Sequence, residues 1–422
     1  MAKTTSKIIA LALTGVCAST SANAAGWQLN DFSVAGLGRA YAGGGVVGDD
    51  YSALAYNPAG MTLGGTGVQA GISVIQLHSD VTGVYKGEHD STNVNVTTEV
   101  PNFFAQYKVN DRVAVGFGVY VPFGLAIEYP KDWIGTDHGI DSELAVIDYS
   151  TAVAVKATDK LSLGLGIFAR NANVDLTSST TLAPGMKFEN EFDLDDWGWG
   201  LHVGAMYEFT KNTRLGVSYR SRSQHKIKGD FDALKGSNIP SLSGRFDAIL
   251  PMDAPEQVQL SGYHKLNDKI GLSAGAKWTR WTRFDALTIH TSHPTTQVEV
   301  AQRWKNTWNV SVGMDYTYSE NWTFRTGIGF DESPVPNSHE RTTAIADNDR
   351  WEIALGASYK KSAWTFDMGY MFLYLPHYKV RNDRHNLNNV QTNPLLQPID
   401  ARYHTTAHVL GLQVQYSFDA TP

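Results

Sequence analysis

Few residues of this 422-residue chain stand at spacings that do chemistry. Gly43, Gly45 and Gly48 spell the G-x-G-x-x-G pattern of a dinucleotide loop. No strand signal precedes them and no βαβ unit surrounds them, so the pattern does not describe a nucleotide site. His404 and His408 share one face of a strand, but zinc needs a third ligand and none is evident. His290 and His293 fall on opposite strand faces. Asn95, Asn309 and Asn321 begin sequons, the last two inside expected strands, where glycosylation does not occur. No nucleophile stands with a base in a recognisable constellation. The expectation is a protein that is not an enzyme and uses no cofactor or metal.

What the sequence does carry is a set of elements suited to lipid. Charged residues are 18 %, aromatics 11 %, and there are 39 glycines. Charge is sparser than the ~25 % of soluble domains, and many aromatics with few charges suit an outer face that meets a bilayer. A soluble, aromatic-rich β-sandwich shares this composition. Past the first 25 residues no run approaches the ~20 apolar residues of a spanning helix, which excludes a polytopic helical protein. The net charge of -7 gives no basic surface for nucleic acid. Lys3 and Lys7, the apolar run 8–16 and Ala22-Asn23-Ala24 make residues 1–24 a secretory signal peptide. The single cysteine, Cys17, leaves with it, so the mature chain has no disulfide framework.

From about residue 65 onward, segments of about ten residues alternate apolar with polar or small residues, as membrane-spanning strands do. Trp322, Phe324, Ile328 and Phe330 share one face; Thr323, Arg325, Gly327 and Gly329 share the other. Val113 to Val121, Trp308 to Tyr316, Trp351 to Tyr359 and Trp364 to Phe372 repeat the pattern. Short polar turns at 109–112, 158–160, 210–212, 266–269, 319–321 and 360–362 alternate with longer connections at about 122–143, 177–195, 228–246, 331–347 and 377–400. Short turns on one side and long loops on the other describe an all-β, fourteen-stranded antiparallel outer-membrane barrel, residues 65–422. The last strand ends near Phe418, similar to the signal read by the barrel assembly machinery. Residues 25–64 do not alternate.

That N-terminal block carries a resemblance. Ala25-Gly26-Trp27-Gln28-Leu29-Asn30-Asp31-Phe32, Gly36-Leu37-Gly38-Arg39-Ala40-Tyr41-Ala42-Gly43, Asp49-Asp50 and Asn57-Pro58-Ala59 resemble the start of the FadL family of outer-membrane transporters of long-chain fatty acids and other hydrophobic compounds. Residues 321–336 and Asp347-Asn348-Asp349-Arg350 look like family segments as well. The resemblance implies that residues 25–64 form a hatch plugging the lumen, with Trp27, Phe32, Asn57, Pro58 and Ala59 among its residues. It implies passive uptake: a ligand moves from an external groove to a tighter pocket, the N-terminus shifts, and an inward kink of the third strand opens the wall sideways.

Family members that bind fatty acids place basic side chains near the carboxylate. By ungapped count those positions here are Ser178 and Val300, so Arg170, Arg280, Arg283 and Arg303 are the substitutes. The expected partners are a fatty acid or hydrocarbon, outer-membrane lipid and lipopolysaccharide, with a monomeric working state. The alternatives are an aromatic-hydrocarbon or alkane channel, a barrel lipid hydrolase, and a surface receptor for phage or host.

Overall fold

The computed structural model describes residues 26–183, 185–239, 241–294, 296–382 and 397–419; the expected signal peptide lies outside them. Strands β1 (Gly67–Tyr85), β2 (Glu88–Lys108), β3 (Val113–Glu128), β4 (Asp141–Lys156), β5 (Leu161–Ala183) and β6 (Met186–Thr210) are followed by β7 (Thr213–Arg220) and β8 (Ser223–Lys235). Then come β9 (Gly244–Ala254), β10 (Gln257–Lys265), β11 (Ile270–Thr279), β12 (Ala286–Thr291), β13 (Gln297–Ala301) and β14 (Thr307–Thr317). Last are β15 (Trp322–Asp331), β16 (Arg350–Lys361), β17 (Trp364–Val380) and β18 (Ile399–Ser417). All pair antiparallel, and β18 pairs back onto β1 over their whole lengths, which closes the sheet. Segments β7/β8, β9/β10, β11/β12 and β13/β14 are lower and upper halves of four barrel strands, so the eighteen segments make fourteen barrel strands.

The apolar series read from the sequence faces outward, except that Val121, past the register shift of β3, is buried. Trp308, Val312, Phe324, Ile353, Leu355, Phe366, Met368 and Leu412 are all 43 % exposed or more. A band of exposed large apolar side chains this wide has no place in water and belongs against lipid. Inward positions on the same strands are small, polar or charged: Gly327, Arg325, Asp367 and Gln413.

Several connections expected to be long are strand instead. β5 and β6 run to within two residues of each other across the expected loop 177–195, and β8 and β9 take up most of 228–246. The reason is a change of face. On β7, Leu215, Val217 and Tyr219 point to lipid; beyond Ser221-Arg222 the alternation shifts by one, and Ile227 and Phe231 point inward. Pro255-Glu256 does the same between β10, where Leu260 is exposed, and β9, where Leu250 and Met252 are buried. A one-residue slip exchanges the two faces of a strand. Above these breaks the barrel has a polar outside and an apolar inside, as a sheet in water should.

The pairing has a long gap between β2 and β3. β2 meets β3 only from Phe103↔Val119 to Lys108↔Ala114. Beyond Val119, β3 pairs with β4 alone, with its register shifted between Tyr120 and Phe123, while β2 continues on β1 alone. Val121-Pro122 sits at that shift, and Pro122 has no N–H to give a ladder.

Candidate functional site

Above the lipid belt, β3, β4, β5, β9, β12 and β13 turn apolar side chains inward around an empty space. Leu125, Leu144, Val174, Leu176, Leu250, Met252, Phe284, Leu287 and Val300 line it, with Trp27 on one side and Thr342, Ala344 and Ile345 of the 332–349 loop on another. It holds about 600 Å³ of space not occupied by atoms, part of it open to solvent. Among the described residues that line it there is no Lys, Arg or His.

The N-terminal segment closes this cavity and packs against inward faces of the barrel below it. It contains two one-turn helices, α1 (Val34–Leu37) and α2 (Ala53–Tyr56), and a 3-10 helix, Pro58–Leu63. Its first residues act as an extra strand at the β3 register shift: the Leu29 amide donates to Pro122 O (2.9 Å), the Gly124 amide to Trp27 O (2.8 Å), and Gln28 bridges Phe123. Trp27 is buried against Phe123, Trp281 and Phe284, with ring centroids 4.8–6.0 Å apart. The Gly26 amide donates to Asp347 Oδ2 (2.9 Å), which also accepts from Ser333 Oγ (2.6 Å). Burial raises the Asp347 carboxyl to about 6, against the opposing pull of Arg350 and these hydrogen bonds. Thr279 donates to Gln28 Oε1 (2.7 Å), and Lys277 to Asn30 Oδ1. Phe32 packs on Tyr56 and Tyr120.

Lower down the grip changes. Asn57 is extended (φ -154°), as a residue before proline prefers, and caps the 3-10 helix by accepting from the Ala59 amide (3.0 Å). Its Nδ2 donates to Ala205 O (3.1 Å) on β6. Pro58 starts that helix, where its missing N–H costs nothing. Asn57-Pro58-Ala59 lies so close to the wall that a Cβ on Gly164 would stand 2.3 Å from the Ala59 nitrogen, and one on Gly204 2.0 Å from Asn57 Oδ1. Gly43, Gly45 and Gly48, the nucleotide-like pattern, instead have positive φ (71°, 77°, 80°) and make the turns of this segment.

Arg39 forks onto Asp49 (2.7 and 3.1 Å) and reaches Asp315 (2.9 Å) on β14. Arg325, the arginine of the β15 pattern, pairs with Asp49 (2.9 Å) and Asp315 (3.1 Å) and donates to Ser358. Asp367 takes up the network with Gln413 (3.0 Å) and Gln415 (2.7 Å). Burial works against the Asp49 charge, but Arg39 and Arg325 overcome it and hold the carboxyl well below the usual range. The sequence reading does not single out Asp315 and Asp367; the signal available is a lone acid on the small-residue face of a lipid-facing strand.

The four arginines singled out for a ligand carboxylate are not gathered together. Arg170 is buried lower in the barrel and bound twice by Asp148 (2.6 and 2.9 Å). Arg280 and Arg283 both pair with Glu256 (3.0 and 3.1 Å) at the strand breaks. Arg303 pairs with Glu340 (3.0 Å). Val300 lines the cavity, and Ser178 does not.

The comparisons agree with this architecture. Residues 15–418 match the family model described as outer membrane protein transport protein (OMPP1/FadL/TodX). The chain is 30 % identical to outer membrane protein P1 of Haemophilus influenzae, over 97 % of this chain and 98 % of that protein. It is 29 % identical to the long-chain fatty acid transport protein of Salmonella typhi, over 86 % and 91 %. The solved structure of a Pseudomonas aeruginosa FadL homologue superposes with a TM-score of 0.82 at 25 % identity, covering 93 % of this chain and all of that one.

Proposed function

The chain belongs to the OMPP1/FadL/TodX family of outer-membrane transport proteins, and from that premise we propose that it carries hydrophobic compounds, long-chain fatty acids first among them, passively across the bacterial outer membrane. The observation that carries the reading is the apolar cavity bounded by Trp27 and by β3 above its register shift. A solute entering it gains about 25 cal/mol per Å² of apolar surface removed from water; a water-filled pore offers no such gain.

In this reading residues 25–64 are a plug. The ligand displaces residues 27–29 from the β3 register shift, the unpaired stretch between β2 and β3 opens, and the ligand leaves sideways into the bilayer. Fatty acids come first because curated relatives that share 28–30 % of their residues over most of the chain include proteins so named. A neutral-hydrocarbon channel is the second reading, favoured by the lack of basic residues lining the cavity. The lipid-facing belt gives the protein lipid and lipopolysaccharide as neighbours, with the barrel assembly machinery as its route in. A monomer suffices, since one chain closes its own sheet, β18 onto β1.

The test is uptake of labelled oleate and labelled toluene by cells stripped of their own transporters and given this gene. Oleate accumulation above the empty strain supports the first reading and toluene alone the second; neither would sink both.

A further inference from the structure

We infer that the cavity takes long-chain molecules whose polar end is uncharged, and that Gln302 is the group that reads that end. The inference rests on the uptake reading above and narrows it. Among the described residues, the one ionisable residue lining the cavity is Glu143, whose sign is wrong for a carboxylate. The nearby cations are committed elsewhere: Arg280 and Arg283 to Glu256, Arg303 to Glu340. A carboxylate drawn into this space would lose its water and meet no counter-charge, the costliest way to bury a polar group. An ester, an alcohol or a protonated acid carries no such penalty.

Gln302 supplies what a neutral oxygen needs. It lines the cavity and is 1 % exposed. Its backbone amide donates to Asp285 O (2.8 Å), and its Oε1 accepts from Trp304 Nε1 (3.1 Å). The indole N–H can only donate, so it fixes which way the amide is turned. That leaves Nε2 as a buried donor without a partner. Buried donors are normally satisfied, and a ligand carbonyl or hydroxyl oxygen at the cavity wall would satisfy this one. A site built around such a donor discriminates by head-group chemistry, while Leu250, Met252 and Val300 accept any apolar chain.

The test uses the full-length barrel in lipid nanodiscs and four sixteen-carbon probes: hexadecane, methyl palmitate, hexadecanol and hexadecanesulfonate. Binding is followed by the emission of Trp27 and its neighbours. Methyl palmitate and hexadecanol are expected to bind at least about thirtyfold more tightly than the permanently charged sulfonate. Gln302→Leu is expected to weaken methyl palmitate about three- to tenfold and to leave hexadecane unchanged, which also shows that the variant is folded. Sulfonate binding equal to the ester overturns the inference and leaves the uptake reading standing. A Gln302→Leu protein that loses hexadecane as well makes Gln302 structural and overturns its reading role. Failure of all four probes overturns the cavity as a ligand site, and the uptake reading with it.

Discussion

Residues 26–30 and residues 39–63 belong to one short stretch of chain, yet the barrel grips them by different chemistry. The lower part is fastened by ion pairs, the buried Arg39 and Arg325 around Asp315 and a partly exposed Asp49, and by Asn57-Pro58-Ala59 set against glycines of β5 and β6. The upper part holds to β3 by two backbone hydrogen bonds, the Trp27 ring and a few side-chain bonds. Each neutral hydrogen bond is worth about 1 kcal/mol net, whereas removing one partner of a buried ion pair costs about 3–5 kcal/mol. In the uptake route proposed above, the lower part stays in place and the upper end yields, beside the cavity and the unpaired part of β3.

The comparison breaks most severely if the floor is discharged. Arg325→Gln leaves Asp49, Asp315 and Asp367 short of a cation and should lower stability by about 3–5 kcal/mol in denaturant unfolding of the detergent-solubilised barrel. Ligand affinity should change far less. Gly204→Val comes next: its side chain meets Asn57 Oδ1, at about 1–3 kcal/mol for overpacking. Displacing the Asn57-Pro58-Ala59 turn should raise single-channel ion conductance in planar bilayers.

At the upper end the pattern should reverse. Leu250→Asp puts a charge in the cavity wall and should cut ligand affinity tenfold or more, about 1.4 kcal/mol, while the ion conductance of the closed barrel stays put. The remaining effect is a pH dependence. The folded state holds the Asp347 proton more tightly than the unfolded chain, with a pKa of about 6 against 3.8. Its contribution to stability is therefore full below about pH 4 and is lost as pH rises through 6. Asp347→Asn should flatten that part of the curve of melting temperature against pH.

Much of this was legible in the residues. The spans inside the membrane announce themselves because lipid demands apolar residues at every second position, and Trp308, Phe324 and Trp351 keep that rhythm. The upper strands did not, because β8 and β9 keep an alternating pattern but exchange its faces at Ser221-Arg222 and Pro255-Glu256. Lys228, Asp230 and Asp232 on the outer alternation of β8 read as loop. The arginines were visible as charges, but their acids were not: Asp148, Glu256 and Glu340 lie 22, 24 and 37 residues from Arg170, Arg280 and Arg303. Only the register of neighbouring strands joins the first two, β4 with β5 and β10 with β11. Gln302 carries no motif at all; its meaning comes from Trp304 and the cavity beside it.

The most direct test of the account is to lock the upper grip, with the reduced form of the same variant as its control. Gln28 and Phe123 face each other in a bridge flanked by the Leu29–Pro122 and Trp27–Gly124 hydrogen bonds. Such non-hydrogen-bonded pairs bring Cα atoms to about 4.5 Å, within disulfide range, and the one cysteine of the sequence, Cys17, lies in the expected signal peptide. Labelled oleate uptake is measured in cells carrying Gln28→Cys with Phe123→Cys, oxidised and then reduced. The account predicts uptake at the empty-strain level when oxidised and recovery on reduction. Equal uptake in both states would contradict it.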